Sequence, residues 1–360
     1  MHPLSLKEFE EEVAETPKRG PLTIRTIDEI LAMTFDPADL ILPNGYLTAG
    51  ELTAMCGIGG IGKSRLAMQF GMCCRVGWDF LGWPTNGRDL RFLFLQTENS
   101  CRRLQDDLKK MLSAFTPDEQ KHLNAGIFFH TLEVDDDGFL ALDAENKERA
   151  ENVINEKAAN VVVYDPLRDF SLDDLNSDKF MGETVRDILR ITKHGNPKRV
   201  PLLLHHALTG KAGAQRTTGW DRSSFGRNSK VLQMMARAVI NVGQARPDDN
   251  SVILIGSGKC NNAPEFTAFA ARLNFETMLY ARDEDFDMQS WREEVDAKPK
   301  RFPVEMLRDL KFKEMEIEPL AKFIRDKIGC GRSRSYELVR EAVKIKLWRF
   351  NKLTETYAKR

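Results

Sequence analysis

Residues 51–72 read ELTAMCGIGGIGKSRLAMQFGM, and no other stretch limits the folding of this chain so sharply. An apolar run meets a loop in which Gly57, Gly59, Gly60 and Gly62 stand among eight residues, and an amphipathic helical pattern follows. A strand, a glycine-rich turn and a helix in that order make backbone N–H groups converge at a helix N-terminus, where the macrodipole also favours anions. Lys63 is then placed to reach the outer phosphates of a nucleotide, and Ser64 to hold Mg²⁺. The spacing predicts an ATP-binding cradle, with ATP and Mg²⁺ as its cofactors.

Further apolar runs end in chemically useful residues. Val161–Tyr164 leads into Asp165, a carboxylate at the C-terminal end of a predicted strand, where open α/β sheets bind ligands. Its expected role is to orient the metal; the plainer alternative is a loop cap before Pro166. The run Phe92–Gln96 enters Thr97-Glu98-Asn99, so Glu98 is the candidate to polarise an attacking water. A helix N-terminal acid is the other reading of Glu98. Leu202–Leu204 leads into His205 and His206, which point to opposite sides of a strand. His206 is the one expected to face the site and sense the γ-phosphate; local hydrogen bonding would equally explain the pair.

These motifs sit in a chain that alternates short apolar runs with longer amphipathic ones, which calls for a mostly parallel sheet flanked by helices. Predicted strands are Glu51–Cys56, Leu90–Thr97, Gly126–Thr131, Val161–Tyr164, Val200–His206, Ala238–Val242 and Ser251–Gly256. Predicted helices are Lys63–Val76, Cys101–Ala114, Ala144–Lys157, Lys179–His194 and Ser229–Ala236. The chain divides into a charged arm (1–24), an α/β domain (25–281), a polar linker (282–301) and a basic helical domain (302–360). No run approaches the roughly 20 apolar residues of a membrane span. Six cysteines without zinc or disulfide spacing read as reduced thiols of a cytoplasmic protein.

Charge is divided along the chain. After residue 296 there are 18 Lys and Arg against 9 Asp and Glu, so the tail carries +9 and the remainder −10 of the net −1. A basic tail on an acidic body suits a polyanionic partner, or a solvated pair of charged helices. Within it, two apolar helical stripes flank Gly329-Cys330-Gly331, with Ser333 as the expected N-cap. That reads as a helix-turn-helix or winged-helix-like unit, with Arg332, Arg334 and Arg340 on its second helix facing DNA; protein docking is the alternative. Between the histidines and residue 228 lies a Gly, Ser and Thr-rich stretch carrying Lys211, Arg216, Arg222 and Arg227, long and polar enough to grip a single DNA strand. A plain surface loop is its alternative.

Taken in order, ILPNGYLTAGELTAMCGIGGIGKSRLAMQ, LFLQTENS, VVVYDPL, LLLHHALTGK and GRNSKVLQMMARAVINV resemble the RepA-type branch of RecA-like ATPases, over roughly residues 25 to 275. That branch includes hexameric replicative helicases of plasmids, phages and mobile elements. The resemblance implies a RecA-like fold, a ring of usually six subunits, and ATP bound between subunits. It implies an arginine finger from the neighbour, best matched by Arg237 and second by Arg227, and a nucleotide contact from Lys259. The chain departs from the pattern at Asn228, where the family has glycine, and at Lys230. The expected function is ATP-driven translocation on single-stranded DNA as a helicase; a DNA-binding regulator or loader switched by ATP is the alternative.

Overall fold

The computed structural model describes residues 22–87, 89–132, 140–175, 177–207, 229–246, 249–296 and 302–359. A short helix α1 (Ile27–Leu31) precedes a hairpin of β1 (Leu40–Leu42) and β2 (Leu47–Thr48). Then follow β3 (Thr53–Gly57), α2 (Lys63–Val76), β4 (Phe92–Gln96), α3 (Cys101–Leu112), α4 (Pro117–Asn124), β5 (Ile127–Phe129), α5 (Ala144–Glu156) and β6 (Val161–Asp165). The series continues with α6 (Asp178–Lys193), β7 (Val200–His206), α7 (Ser229–Met235), β8 (Ala238–Arg246) and β9 (Asp249–Cys260). It closes on the same sheet with β10 (Phe269–Leu273), β11 (Tyr280–Arg282) and α8 (Met288–Asp296).

One nine-stranded sheet carries the order β11-β10-β9-β8-β3-β7-β6-β4-β5. From β8 to β5 all neighbours are parallel, and β9, β10 and β11 extend the sheet antiparallel. The mostly parallel sheet flanked by helices is therefore present, with an antiparallel extension that the apolar runs did not reveal. The central strands are buried on both faces, as their near-continuous apolar sequences require. Met55, Phe92, Phe94, Val161, Val163 and Leu204 face α2, α3 and α4. The alternate residues Ala54, Leu93, Val162, Tyr164 and Leu203 face α5, α6 and α7.

The polar run 282–301 is not wholly a connector. It opens with the end of β11 and contains α8, whose Trp291 is buried against Ala245, Leu254 and Ala270 and donates through Nε1 to the Ala245 carbonyl at 2.7 Å. A single large aromatic anchors an otherwise hydrophilic helix, which is why hydropathy alone read as a linker.

Residues 302–359 build a separate apolar cluster. Helix α9 (Ile317–Ile328) and helix α10 (Arg332–Lys344) pack through Leu320, Ile324, Leu338, Val339 and Ala342, with Trp348 beneath. Gly329 closes α9 in the left-handed region at φ +73°. The N-cap of α10 is Gly331, not Ser333: the helix begins two residues early, and Ser335 Oγ donates to the Arg332 carbonyl inside its first turn. A hairpin of β12 (Trp348–Asn351) and β13 (Thr356–Lys359) follows α10. Met315 bridges to Tyr357, so the unit is helix–turn–helix followed by a β-wing. Among the described residues no helix is long and apolar enough to cross a membrane.

Candidate functional site

Parallel pairing aligns the carboxyl ends of four strands. Gly57 stands opposite His206 across β3 and β7, and Gln96 opposite Asp165 across β4 and β6. The residues that follow these ends are the glycine loop and Glu98, so features far apart in sequence share one edge of the sheet. They line a cleft of about 210 Å³ with Gly60, Gly62, Lys63, Ser64, Glu98, Asp165 and His206 in its wall.

Gly62 is the N-cap of α2 at φ +99°, and the Tyr280 hydroxyl lies where its Cβ would be, so only glycine fits there. A Cβ at Gly60 would meet nothing, which marks the open side of the cradle. Lys63 is 6% exposed and folds back onto its own loop, donating to the carbonyls of Gly57 at 3.0 Å and Ile58 at 2.9 Å. Burial lowers its pKa, opposed by the charges of Asp165, Cys56 and Glu98. Asp165 is itself buried, and burial pushes its carboxyl up to about 6 against a hydrogen bond from Ser64 and the attraction of Lys63. Ser64 and Asp165 are thus already in contact, as two oxygen donors to one hard cation would be.

Glu98 is half exposed, and its Oε1 lies 3.6 Å from Nε2 of His206. His206 chiefly, with Lys63 and Arg168 farther off, holds the Glu98 carboxyl below the usual carboxylate range despite partial burial. It stays ionised, as a proton acceptor must. His206 also stands beside Gly59, 3.7 Å from where a Cβ would be, whereas His205 is buried on the opposite side of β7. The alternation along the strand thus puts His206, and not His205, in the wall of the cleft.

Sequence inspection did not single out the side chain that holds the Glu98 turn. Gln96, 2% exposed, donates through Nε2 to the carbonyls of Asn99 (3.0 Å) and His130 (2.9 Å), and its Oε1 accepts from the Asn99 N–H (2.8 Å). A polar last residue in an apolar strand was the available signal. Gln96→Leu would strand these backbone groups. The expected loss is about 2 kcal/mol of unfolding free energy, read by denaturant titration, with a reduced turnover that a change at an exposed residue of α3 would not produce. Also unforeseen were the contacts from the antiparallel strands. Asn250 Nδ2 donates to the Gly60 carbonyl at 3.3 Å, and Gln69 on α2 makes a two-way clasp with the Tyr280 backbone, both bonds at 2.7 Å.

Other expected site residues lie elsewhere. Arg237 and Lys259 are at the amino end of β8 and beside it on β9, where Ala238 pairs with Thr53 and Val239 with Lys259. Thr53 begins the strand that Gly57 ends, so both cations stand at the edge opposite their own cradle, about 13 Å away at a strand's rise. Lys259 does not project freely. Its ammonium donates to the carbonyls of Gln233 (2.7 Å) and Ala236 (2.8 Å), satisfying the C-terminus of α7. Arg237 is exposed, and its charge lowers the pKa of both Lys193 and Lys259, though burial is the larger cause in each. Lys211, Arg216, Arg222 and Arg227 lie outside the described residues.

On α10, Arg332 and Arg340 are exposed, but Arg334 is not available to a DNA phosphate. Its guanidinium, 17% exposed, is held by Glu341 and Glu337 at 3.0 Å and donates to the Phe302 carbonyl at 2.8 Å. Counting basic residues could not foresee that two acids one and two turns along the same helix would claim it. Arg334→Ala should destabilise the C-terminal unit by about 1–2 kcal/mol. Thermal unfolding would report it as a fall in melting temperature.

Compared with known proteins, a family model described as "AAA domain" matches residues 16–214. None of the curated proteins matches this chain. Among solved structures, one titled as an ATPase domain is similar at 11% identity and a TM-score of 0.49, covering 68% of this chain and 91% of that one. A KaiC-like protein from the hyperthermophilic archaeon Pyrococcus horikoshii OT3 is similar at 14% identity and a TM-score of 0.45, covering 68% and 94% respectively.

Proposed function

Since the chain belongs to the AAA domain family, we propose that it is a Mg²⁺-dependent ATPase that works as a ring, usually of six subunits, and moves on single-stranded DNA as the helicase of a mobile element. The observation that carries the reading is the convergence of Lys63, Ser64, Glu98, Asp165 and His206 on one cleft. Bound Mg²⁺ would neutralise charge on the β- and γ-phosphates, and the residues present fit it: Ser64 and Asp165 supply adjacent oxygens. Lys63 exchanges the carbonyls of Gly57 and Ile58 for phosphate oxygens. Glu98 takes a proton from the attacking water as the bond from the γ-phosphorus to its bridging oxygen breaks. His206, between the loop and Glu98, registers whether the γ-phosphate is present.

Completion of the site from a neighbour is supported by placement. Arg237, Lys193 and Lys259 gather charge on the edge that cannot serve its own cradle, and an arginine there stabilises transferring phosphate across a subunit boundary. Arg227 remains the second candidate for this role. DNA contacts are assigned to Lys211, Arg216 and Arg222 and to the exposed Arg332 and Arg340.

The helix–turn–helix with its wing favours one second reading, an ATP-switched regulator that binds duplex DNA and unwinds nothing. The two differ in their response to DNA. A translocase hydrolyses ATP faster on single strands and separates a tailed duplex. Tight binding to duplex with slow, DNA-independent turnover, and no strand separation on any tail, would sink the helicase reading and favour the switch.

A further inference from the structure

Two turns that serve the cleft are tied together by buried side chains. Thr97 immediately precedes Glu98, but its side chain is buried, at 5% exposure, while that of Glu98 reaches the cleft. The Thr97 hydroxyl donates to Oδ2 of Asp169 at 2.6 Å, and the Thr97 N–H donates to the Asp165 carbonyl at 3.1 Å. Asp169, 6% exposed, stands on the 3-10 turn Leu167–Phe170 that follows Asp165. Its other oxygen, Oδ1, accepts from Nε of Arg168 at 3.2 Å. Burying a carboxylate is costly unless its oxygens are bonded, and here each has a donor.

The 3-10 turn is itself fixed. The Asp169 N–H donates to the Pro166 carbonyl at 3.1 Å. Segment 140–142 lies alongside, with the N–H groups of Leu140 and Leu142 donating to the carbonyls of Asp169 (3.2 Å) and Phe170 (3.1 Å). On the other flank of β4, Gln96 ties the Glu98 turn to Asn99 and His130. The turn is thus held from the β5 side by Gln96 and from the β6 side by Thr97. Thr97, Arg168 and Asp169 lie outside the cleft wall, so what they contribute to chemistry passes through the residues they hold.

We propose that Thr97 and Asp169 are positioning residues for ATP cleavage: they lock the turn carrying Glu98 to the turn leaving Asp165, so that proton acceptor and metal ligand keep one spacing. Arg168 is the outer partner that holds Asp169 in place. The assignment rests on the reading of Glu98 as the group that takes the water's proton. Such a group must stand within hydrogen-bond reach, and a displacement of about 1 Å costs on the order of 10²-fold in rate.

Single-turnover ATP hydrolysis by the full-length chain, with nucleotide affinity from calorimetry, tests it. Thr97→Val keeps the shape of the side chain and removes the hydroxyl. Hydrolysis should slow about 30- to 100-fold, while affinity for an ATP analogue changes by less than about threefold. Thr97→Ser restores the hydroxyl and should bring the rate back to within about fivefold of wild type. Arg168→Ala, at a side chain 65% exposed, withdraws one donor from Asp169 without opening the core. It should slow hydrolysis about 5- to 10-fold with melting unchanged. Combined with Glu98→Gln, neither Thr97→Val nor Arg168→Ala should cost anything further, because the group they position is already gone. A Thr97→Val chain that cleaves ATP at the wild-type rate would overturn the proposal. So would one that slows cleavage as much in the Glu98→Gln background as in wild type, since that is the mark of a general structural defect. If Thr97→Val fails to fold, the Arg168→Ala effect and its disappearance beside Glu98→Gln decide in its place. Full-rate cleavage by Glu98→Gln alone is the separate result that would remove the reading of Glu98, and this assignment with it.

Discussion

Replacing Lys63 with alanine should remove ATP turnover almost entirely, by about a thousandfold or more in kcat/KM, while the fold survives. The lysine is a buried cation whose hydrogen bonds go only to the loop's own carbonyls. Those bonds keep it desolvated and poised, and a phosphate that takes it over gains a charge-assisted contact in a site of low dielectric. Losing a preorganised donor of that kind costs about 10²–10³ in rate on its own, and the loss of nucleotide affinity adds to it. Stability should change little, because the variant also removes the cost of burying the charge. Steady-state hydrolysis with nucleotide binding by calorimetry checks both statements. Turnover within about tenfold of wild type would mean that this cradle is not where ATP is cleaved.

The second large effect belongs to Glu98. Glu98→Gln keeps the size and polarity of the side chain but removes its capacity to accept a proton, and should lower kcat by about 10²–10⁴. KM for ATP should move little, since the carboxylate lies in the cleft wall and not in the loop that grips phosphate. The pairing at 3.6 Å with His206 gives a graded control. His206→Ala leaves the acid in place and should cost less than Glu98→Gln. It should also blunt any response of DNA affinity to the γ-phosphate, read by comparing DNA binding with ATP analogue and with ADP. If Glu98→Gln hydrolyses ATP at the wild-type rate, the water is activated from another position on this edge.

The sequence was legible where one rule acts over a short distance. In a parallel sheet each strand is buried and each carboxyl end falls on the same edge. Apolar runs therefore located β3, β4, β6 and β7, and residues just after or at the end of these runs line the shared cleft. Helix α2 was readable to the residue from its glycine at either end. Strands β10 and β11 were not, being short and, in FAARL, centred on two alanines, which are depleted in strands. Helix α4 went unpredicted: it is capped by a box of Thr116 and Glu119 but buries only Leu123, so periodicity was silent there. Roles that depend on a distant partner were out of reach. Arg334 looked like any other basic residue until the Phe302 carbonyl, 32 positions away, was seen to hold it together with Glu337 and Glu341. Gln96, Asn250 and Tyr280 matter only because strands remote in sequence return to the cradle.

The clasp between Gln69 and Tyr280 joins residues 211 positions apart, and this sets a schedule for synthesis. At roughly 5–20 residues per second, about 10–40 s pass on the ribosome between the emergence of the phosphate loop and of the strand that braces its helix. A nascent chain halted before β11 would carry the whole GIGGIGKS motif yet lack the tyrosine against Gly62 and the clasp on α2. The growing polypeptide therefore acquires a finished nucleotide pocket only when the last edge of the sheet is laid down.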